Sequence, residues 1–173
     1  MLNQYRILDL SDHRGAMAAN ILATLGAEIV LVEGPDGRGR NSFPQGPDGV
    51  SLDWWSMRRG AKSVVIENRA ELIKLVAGAD VLIESPDAGM GLNVEELRSV
   101  NPSLVHATIT GYGSTGPKKN WVATDLTIAA SACAAAVTGD ADRAPLRIST
   151  PQSYFHAGQQ AAAGIAVALY ERS

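Results

Sequence analysis

The stretch LVHATITGYGSTGP, residues 104–117, joins an apolar strand to a loop with glycines at positions 111, 113 and 116. Glycine adopts positive φ without strain and lets a ligand approach the backbone closely. In open α/β sheets, ligands bind in the crevice outside the carboxyl ends of the strands. The stretch therefore predicts a parallel α/β fold with a binding site at this end of the sheet.

The same loop spells G-x-G-x-x-G, the pattern of dinucleotide-binding turns. In such turns the glycines open an apolar helix within a compact βαβ unit. Here Pro117 follows, and residues 118–121 read KKNW, which does not begin an apolar helix. An unrelated nucleotide-binding domain is therefore the least favoured of the alternatives.

The composition is that of an ordinary globular protein, with 46% apolar and 19% charged residues in a chain of 173. This length suits one domain. The formal net charge of −3 supplies no basic field for nucleic acid. The longest uncharged stretch, residues 126–139, is too short to span a bilayer. We therefore expect no nucleic-acid partner, no membrane partner and no metal cofactor.

The one cysteine, Cys133, cannot form an internal disulfide, and among alanines it is expected to be a small buried residue. Residues 1–6 lead straight into a strand without the apolar core of a secretory signal. Both features favour a reducing compartment, so a cytoplasmic location is expected.

Five runs rich in Val, Ile and Leu show little alternation, as parallel strands buried on both faces do. They are Tyr5–Leu10, Glu28–Glu33, Ser63–Glu67, Asp80–Ser85 and Leu104–Ile109. Helices are predicted between most of these runs and after the last. They cover Ala16–Leu25, Asn68–Ala77, residues 93–100, Asp125–Thr138 and Pro151–Arg172. This succession predicts right-handed crossovers and a Rossmann-like parallel sheet with flanking helices.

Two regions depart from this regular succession. Gly34–Lys62 shows almost no periodicity, and loops of this length are usually functional or mobile. This segment, which includes Trp54 and Trp55, could close over a ligand or pack on a partner chain. The last helix reaches Ser173 without a glycine cap, which suggests a chain cut within a larger protein; a domain ending on a surface helix is the alternative.

Six segments, taken in order, resemble family III CoA-transferases, the superfamily of formyl-CoA transferase, carnitine CoA-transferase and α-methylacyl-CoA racemase. They are LDLS (8–11), LGAEIVLVE (25–33), RRGAKSV (58–64), ADVLIES (79–85), NPSLV (101–105) and TGYGSTGP (110–117). The resemblance implies that residues 1–173 are the N-terminal α/β part of that family's large domain. Such a part continues into, or pairs with, further chain, and two chains interlock as a homodimer or heteromer.

The family resemblance also implies a reaction, the transfer of CoA between an acyl-CoA thioester and a small carboxylic acid. In the family an aspartate attacks the thioester to give a mixed anhydride, which is reactive enough for exchange. Backbone N–H groups of the glycine-rich loop would stabilise the oxyanion. Coenzyme A is then part of the substrate.

This chain lacks the expected aspartate, whose place is taken by Tyr154. No Asp or Glu occurs between Arg147 and Tyr170, so a small alignment shift does not supply a carboxylate. A phenol with a pKa near 10 is a poor substitute. Tyr154 is therefore either a chemical group of unusual kind or a packing residue, and nearby His156 is either a general base or a structural histidine.

The racemase branch of the family has a His-Asp pair that here reads Thr124-Asp125, which disfavours two-base racemisation. Asp125 can equally be a first-turn helix acid.

The resemblance places CoA contacts at six residues. They are Arg38 against the adenine (with Arg40 as a substitute), Arg69 on phosphate, and Ser85, Pro86, Met90 and Gly91 along the pantetheine channel. For each arginine, a solvated surface charge is the alternative to a ligand contact.

Two functions remain in view. The first is a CoA-transferase-like protein acting on acyl-CoA with Tyr154 in place of the nucleophile. The second is a non-catalytic CoA-binding or structural half whose partner carries the catalytic aspartate. In either case we expect the isolated segment not to be catalytically competent.

Overall fold

The computed structural model describes residues 1–37, 39–85 and 92–172, and within these ranges the chain forms five strands and six helices. The strands are β1 Arg6–Leu10, β2 Glu28–Glu33, β3 Lys62–Val65, β4 Val81–Glu84 and β5 Val105–Thr108. The helices are α1 Ala16–Thr24, α2 Leu52–Met57, α3 Arg69–Val76, α4 Val94–Val100, α5 Asp125–Ser131 and α6 Gln152–Arg172.

The strands form one sheet in the order β3-β2-β1-β4-β5, and every neighbouring pair is parallel. In the middle of the sheet, Leu8 of β1 lies opposite Val30 of β2 and Leu82 of β4. The predicted Rossmann-like parallel sheet is confirmed. Because the strand order reverses at β1 and β4, the carboxyl ends of these two strands form the topological switch point.

Helices cover both faces of the sheet, which explains why the strands show so little alternation. Ile7 and Ile83 pack in one core cluster with residues of α1 and α6, such as Leu22 and Ile165. The neighbouring strand residues face the other way, and Leu8 packs with residues of α3 and α4. Adjacent residues of one strand therefore enter opposite cores.

Local signals in the sequence position most helix ends. Gly26 follows α1 with φ +102°, as a helix-terminating glycine does. The Asn68 carboxamide oxygen accepts the Glu71 N–H at 3.2 Å, and Asn93 accepts the Glu95 N–H at 2.9 Å. Each asparagine occupies the N-cap position of its helix. All five strands lie within two residues of their predicted limits.

Three expectations about local structure were wrong. Helix α5 ends at Ser131 instead of Thr138, and turns follow it. Cys133 is exposed and has φ 60°, so it is not a buried apolar residue. The reason is that the alanine-rich run after Ser131 lies against too little protein to bury a continuous helix face. Finally, Gly34–Lys62 contains a short helix, α2, whose N-cap Ser51 accepts the Trp54 N–H.

Candidate functional site

The candidate site lies at the switch point, where β1 runs into α1. The turn that joins them, residues 11–15, carries Ser11, Asp12, His13 and Arg14. Gly15 is required there, because a Cβ atom at this position would lie 2.5 Å from the Ser11 Cβ and 3.0 Å from the Ile109 Cδ1. The turn therefore packs directly on Ile109, the residue that follows β5.

A buried network holds this turn in place. The Arg58 guanidinium forms an ion pair with Asp9 of β1 and donates to the Ser11 carbonyl at 2.6 Å. The other carboxylate oxygen of Asp9 accepts from the Ser11 N–H at 2.9 Å and from its hydroxyl at 2.6 Å. Burial lowers the pKa of Arg58 to about 10, so its guanidinium remains charged at neutral pH.

The Asp12 and Arg14 side chains pair within the turn. The Arg14 Nε donates to Asp12 Oδ2 at 2.8 Å, and the Arg14 backbone N–H donates to Oδ1 at 2.8 Å. Burial opposes ionisation of Asp12, but the hydrogen bonds and charge of Arg14 outweigh it and hold the pKa of Asp12 below its ordinary value. The Asp12 carboxylate is therefore ionised at neutral pH.

Tyr154, in the first turn of α6, packs against this turn and is 8% exposed. Its ring meets the His13 ring edge to face, with 5.2 Å between the ring centroids. Burial raises the pKa of the Tyr154 phenol above its ordinary value, although the nearby Arg14 charge opposes this rise. Tyr154 is thus a protonated phenol at neutral pH, packed in the candidate site.

Two contacts bring the first turn of α6 to the switch point. The Asp125 carboxylate of α5 accepts the Ser153 N–H at 2.8 Å, and so caps α6 from a neighbouring helix. One turn after Tyr154, Gly158 lets α6 approach α1, since a Cβ there would lie 2.6 Å from the Met17 Cβ. Asp125 is therefore both a first-turn acid of its own helix and a cap for α6.

On the other side of the switch point, Ser85 follows β4 and is completely buried. Its hydroxyl has no hydrogen-bond partner among the described residues. An unpaired buried hydroxyl costs free energy, and a ligand group in the crevice would satisfy it.

The other predicted site residues lie apart from Tyr154 or beyond the described ranges. His156 is exposed and lines a cavity of about 360 Å3, the α5–α6 groove, which is otherwise mainly apolar. Leu126, Leu146 and Ile148 contribute to its walls. The remaining predicted contacts that fall outside the described residues are Arg38, Pro86, Met90 and Gly91.

Two arginines proposed for CoA phosphates already have protein partners. Arg69, the first residue of α3, forms an exposed ion pair with Glu96 of α4. Arg40 donates to the buried carboxylate of Glu33 at 2.5 Å and lies over the Trp54 ring, 4.1 Å from its centroid. Of the two, Arg40 is the more constrained, because it contacts both the buried Glu33 side chain and the Trp54 ring, whereas Arg69 and Glu96 are both exposed.

Comparison with known proteins identifies the family. A family model described as CoA-transferase family III matches residues 2–173. The chain belongs to CoA-transferase family III. The resemblance seen in the six sequence segments is thereby confirmed over nearly the entire chain.

Relatives in this family are considerably longer than the chain. It is 35% identical to the acetyl-CoA:oxalate CoA-transferase of Acetobacter aceti, covering 96% of this chain and 46% of the relative. It is 34% identical to the probable fatty acyl-CoA transferase Rv3272 of Mycobacterium tuberculosis, over 76% of this chain and 36% of the relative. The crystal structure of a CAIB/BAIF family protein from Brucella suis superposes with a TM-score of 0.90 at 28% identity, covering 98% of this chain and 49% of the other. The chain spans about half the length of these proteins or less.

For this CoA-transferase family member, sequence reasoning missed the groups that surround Tyr154. His13 and Arg14 carry a usable signal, because they directly follow a strand predicted to be central. No local signal places Arg58 in the site, since 47 positions separate it from the Ser11 carbonyl that it binds. Across the described ranges, no helix is long and apolar enough to cross a membrane. The same ranges contain no cluster of three or more His, Cys, Asp or Glu side chains that could hold a metal ion.

Proposed function

We propose that this chain binds acyl-CoA thioesters and takes part in the transfer of CoA between an acyl-CoA and a small carboxylic acid. It does so as the N-terminal α/β part of a larger or paired assembly. The observation that carries the proposal is the family match over residues 2–173. Relatives named as CoA-transferases that are 30–35% identical to the chain support the same activity.

The switch-point crevice suits a CoA thioester. Ser85 offers a buried hydroxyl without a described partner, at the position where the resemblance places the pantetheine channel. Across the switch point, the turn that follows β1 carries Arg14, whose guanidinium is paired with Asp12. We propose CoA contacts at Ser85, Arg69, Arg38, Pro86, Met90 and Gly91. Arg69 would have to exchange its exposed pair with Glu96 for phosphate, which costs little because such pairs are weak.

Tyr154 is unsuited to the role of the family's aspartate. A buried phenol whose pKa lies above its ordinary value is almost entirely protonated at neutral pH, and only the phenolate is a competent nucleophile. His156, the other candidate, is exposed and lines the α5–α6 groove, whereas Tyr154 packs on His13. We therefore propose that Tyr154 helps to form the site without becoming acylated.

The second candidate function is that of a non-catalytic CoA-binding or structural half. The lack of any carboxylate between Arg147 and Tyr170, at the start and along most of α6, favours it. In that arrangement a partner chain carries the catalytic aspartate. We propose an interlocked homodimer or a heteromer with a second CoA-transferase-like chain, and a cytoplasmic location in keeping with the single cysteine.

Native mass spectrometry of the purified protein with CoA added tests the proposal. A homo-oligomer that retains CoA supports a CoA-binding unit of the transferase type. Co-migration of a second, larger chain supports the paired arrangement and directs the search for the aspartate to that chain. Failure to retain CoA or acyl-CoA in any assembly would overturn the proposed function.

A further inference from the structure

With Tyr154 in the aspartate position, a transferase of this family needs another carboxylate at the same place. Two carboxylates lie close enough to the Tyr154 hydroxyl to influence its pKa, and they belong to Asp12 and Asp125. Both come from segments other than α6, so the lack of a carboxylate in the first turns of α6 does not exclude a carboxylate from the site.

The Asp125 carboxylate is already engaged in structure. It is 9% exposed and accepts the Ser153 N–H at 2.8 Å at the start of α6. The neighbouring Asp9 is completely buried in its ion pair with Arg58. Glu84, at the end of β4, lies on the same face of the sheet as Leu82 of the other core, and it bonds to His106 at 2.9 Å. None of the three is free to attack a ligand in the crevice without breaking these contacts.

Asp12 is also paired, since both of its oxygens accept from Arg14, but it differs from the other carboxylates in position and access. It lies on the turn directly after β1, where the strand order reverses, and its side chain is 20% exposed. The Arg14 guanidinium donates to the Asp12 carboxylate through Nε and Nη2. This pairing with Arg14 keeps the Asp12 carboxylate ionised and fixes its orientation near the Tyr154 and His13 rings.

We propose that Asp12 is the nucleophilic carboxylate of this chain, having taken over from the α6 position that Tyr154 occupies. This inference rests on the proposed function, because it assumes that an acyl-CoA binds at the switch point. It makes Asp12 a catalytic residue and Arg14 the residue that positions it.

The step follows the chemistry of an activated carboxylate. One Asp12 oxygen attacks the thioester carbonyl carbon, the C–S bond breaks, and CoA leaves as the thiolate. The product is a mixed anhydride between Asp12 and the acyl group. The thiolate then attacks the Asp12 carbonyl carbon, which releases the acyl group as a carboxylate and leaves an aspartyl-CoA thioester. An acceptor carboxylate then attacks the carbonyl carbon of the aspartyl-CoA thioester, which releases the CoA thiolate and gives a second mixed anhydride. The thiolate attacks the acyl carbonyl of this anhydride, which forms the new acyl-CoA and regenerates the Asp12 carboxylate.

The test is trapping of the acylated aspartate in the assembly that the purified chain forms. Acetyl-CoA, succinyl-CoA and octanoyl-CoA are screened by calorimetry, and each thioester that binds is incubated with the protein and quenched with hydroxylamine. Peptide mass spectrometry is expected to find the hydroxamate on Asp12. Asp12→Asn, which keeps an acceptor for the Arg14 N–H, is expected to lower its formation more than about 1000-fold. The exposed Asp53→Asn serves as the matched control and is expected to form the adduct at the normal rate.

Three results would overturn the inference. The first is binding of a thioester with no hydroxamate on Asp12, and the second is a hydroxamate on another residue; either leaves the proposed function intact. The third is failure of all three thioesters to bind, which overturns the inference and the proposed function together. The thermal midpoint of Asp12→Asn is measured in parallel. A folded Asp12→Asn variant that still forms a hydroxamate would give the second result, since the adduct then lies on another residue and Asp12 has only a structural role.

Discussion

At the scale of single residues, the candidate site holds a buried phenol, Tyr154, at the place where the family resemblance predicts a carboxylate. A buried carboxylate needs charged or polar partners, whereas most of a phenol is an apolar ring that packing stabilises. Tyr154 obtains that packing from the His13 ring. Its burial raises its pKa, so the same packing that stabilises the residue also removes it as a nucleophile.

The pKa shifts of Tyr112 and Tyr154 have opposite directions and predict the order in which the two tyrosines ionise. The hydrogen bond between Tyr112 and Ser131 lowers the pKa of Tyr112, and burial raises that of Tyr154. In an alkaline titration followed by ultraviolet absorbance, Tyr154→Phe should remove a late-ionising component and leave the early one unchanged. Tyr112→Phe is the matched variant and should remove the early component. Loss of an early component in Tyr154→Phe would contradict the assignment.

At the scale of elements, the site depends on how closely α6 approaches α1. The contact is made at Gly158, where a Cβ atom would lie 2.6 Å from the Met17 Cβ and 3.0 Å from the Ala18 backbone nitrogen. Neither atom is the end of a flexible side chain, so the helices would have to separate to admit a methyl group. Tyr154 lies one turn before this contact and would move with the helix.

We predict opposite effects for alanine at two glycines of α6. Gly158→Ala should lower the free energy of unfolding by about 1–3 kcal/mol through overpacking. Gly164→Ala meets nothing within 4 Å and should raise it by about 0.5–1 kcal/mol, because alanine favours the helix. Urea denaturation of both variants measures the difference. Equal effects at the two positions would show that α6 does not pack on α1 as described.

Across the sheet, Glu28 of β2 joins both neighbouring strands. It accepts from the Arg6 Nε at 2.7 Å and from the Lys62 Nζ at 2.5 Å. The hydrogen bonds from Lys62 and Arg6 lower the pKa of Glu28 from 4.5 to about 2. Because the folded pKa is below the unfolded one, this stabilisation is complete above about pH 4.5 and is lost as the pH falls toward 2.

Glu28→Gln should therefore reduce thermal stability at neutral pH and low salt by a small amount, since the pair is on the surface. Its midpoint should converge with that of the unsubstituted protein as the pH falls from 4.5 toward 2. Thermal melts followed by circular dichroism over this range provide the measurement. Added salt should shrink the difference at neutral pH. A difference that grows on acidification would show that Glu28 is not stabilised as an anion.

At the scale of the whole molecule, the surface around α5 and the start of α6 is unusually apolar. Leu126, Leu146 and Ile148 of the α5–α6 groove are 45%, 52% and 43% exposed. Exposed apolar residues that line a common groove are typical of surfaces that another chain covers. This agrees with the proposed interlocked assembly and with a chain that spans half of its relatives.

We predict that charges in this groove weaken association. Leu126→Glu together with Leu146→Glu should weaken the assembly by about tenfold or more, because burying an unpaired carboxylate is costly. Val94→Glu is the matched control, because Val94 is 43% exposed at the start of α4, outside the groove. Sedimentation equilibrium measures the dissociation constants. An unchanged constant in the double variant would place the interface elsewhere.

Much of the fold could be predicted because its signals are local. Residues 29–32 and 81–83 are apolar on both faces, and such a run is typical of a strand covered on both sides. Asn68 and Gly26 mark helix ends through hydrogen bonds and backbone angles within a few residues. The short helix α2 was not predicted because its six residues show little periodicity. Its N-terminus is stabilised by the hydrogen bond that the Ser51 side chain accepts from the Trp54 N–H.

The candidate site could be predicted only in part, because its contacts are not local. The position of Tyr154 followed from the order of segments along the chain, but its packing on His13 did not. Arg40 reads like a free cation in the sequence, yet it binds the buried Glu33. Cys133 reads like a core residue, yet its neighbours leave it exposed.

The amino-acid sequence by itself determined the succession of strands and helices, the parallel sheet and the family, and it predicted that the catalytic aspartate is absent. These properties depend on periodicity, on caps and on the order of short segments. Only the tertiary structure decided that Asp12, His13, Arg14 and Tyr154 share one site and that Arg58 holds their turn in place. Burial and charge pairing across distant parts of the chain exist only once the sheet and its helices have assembled.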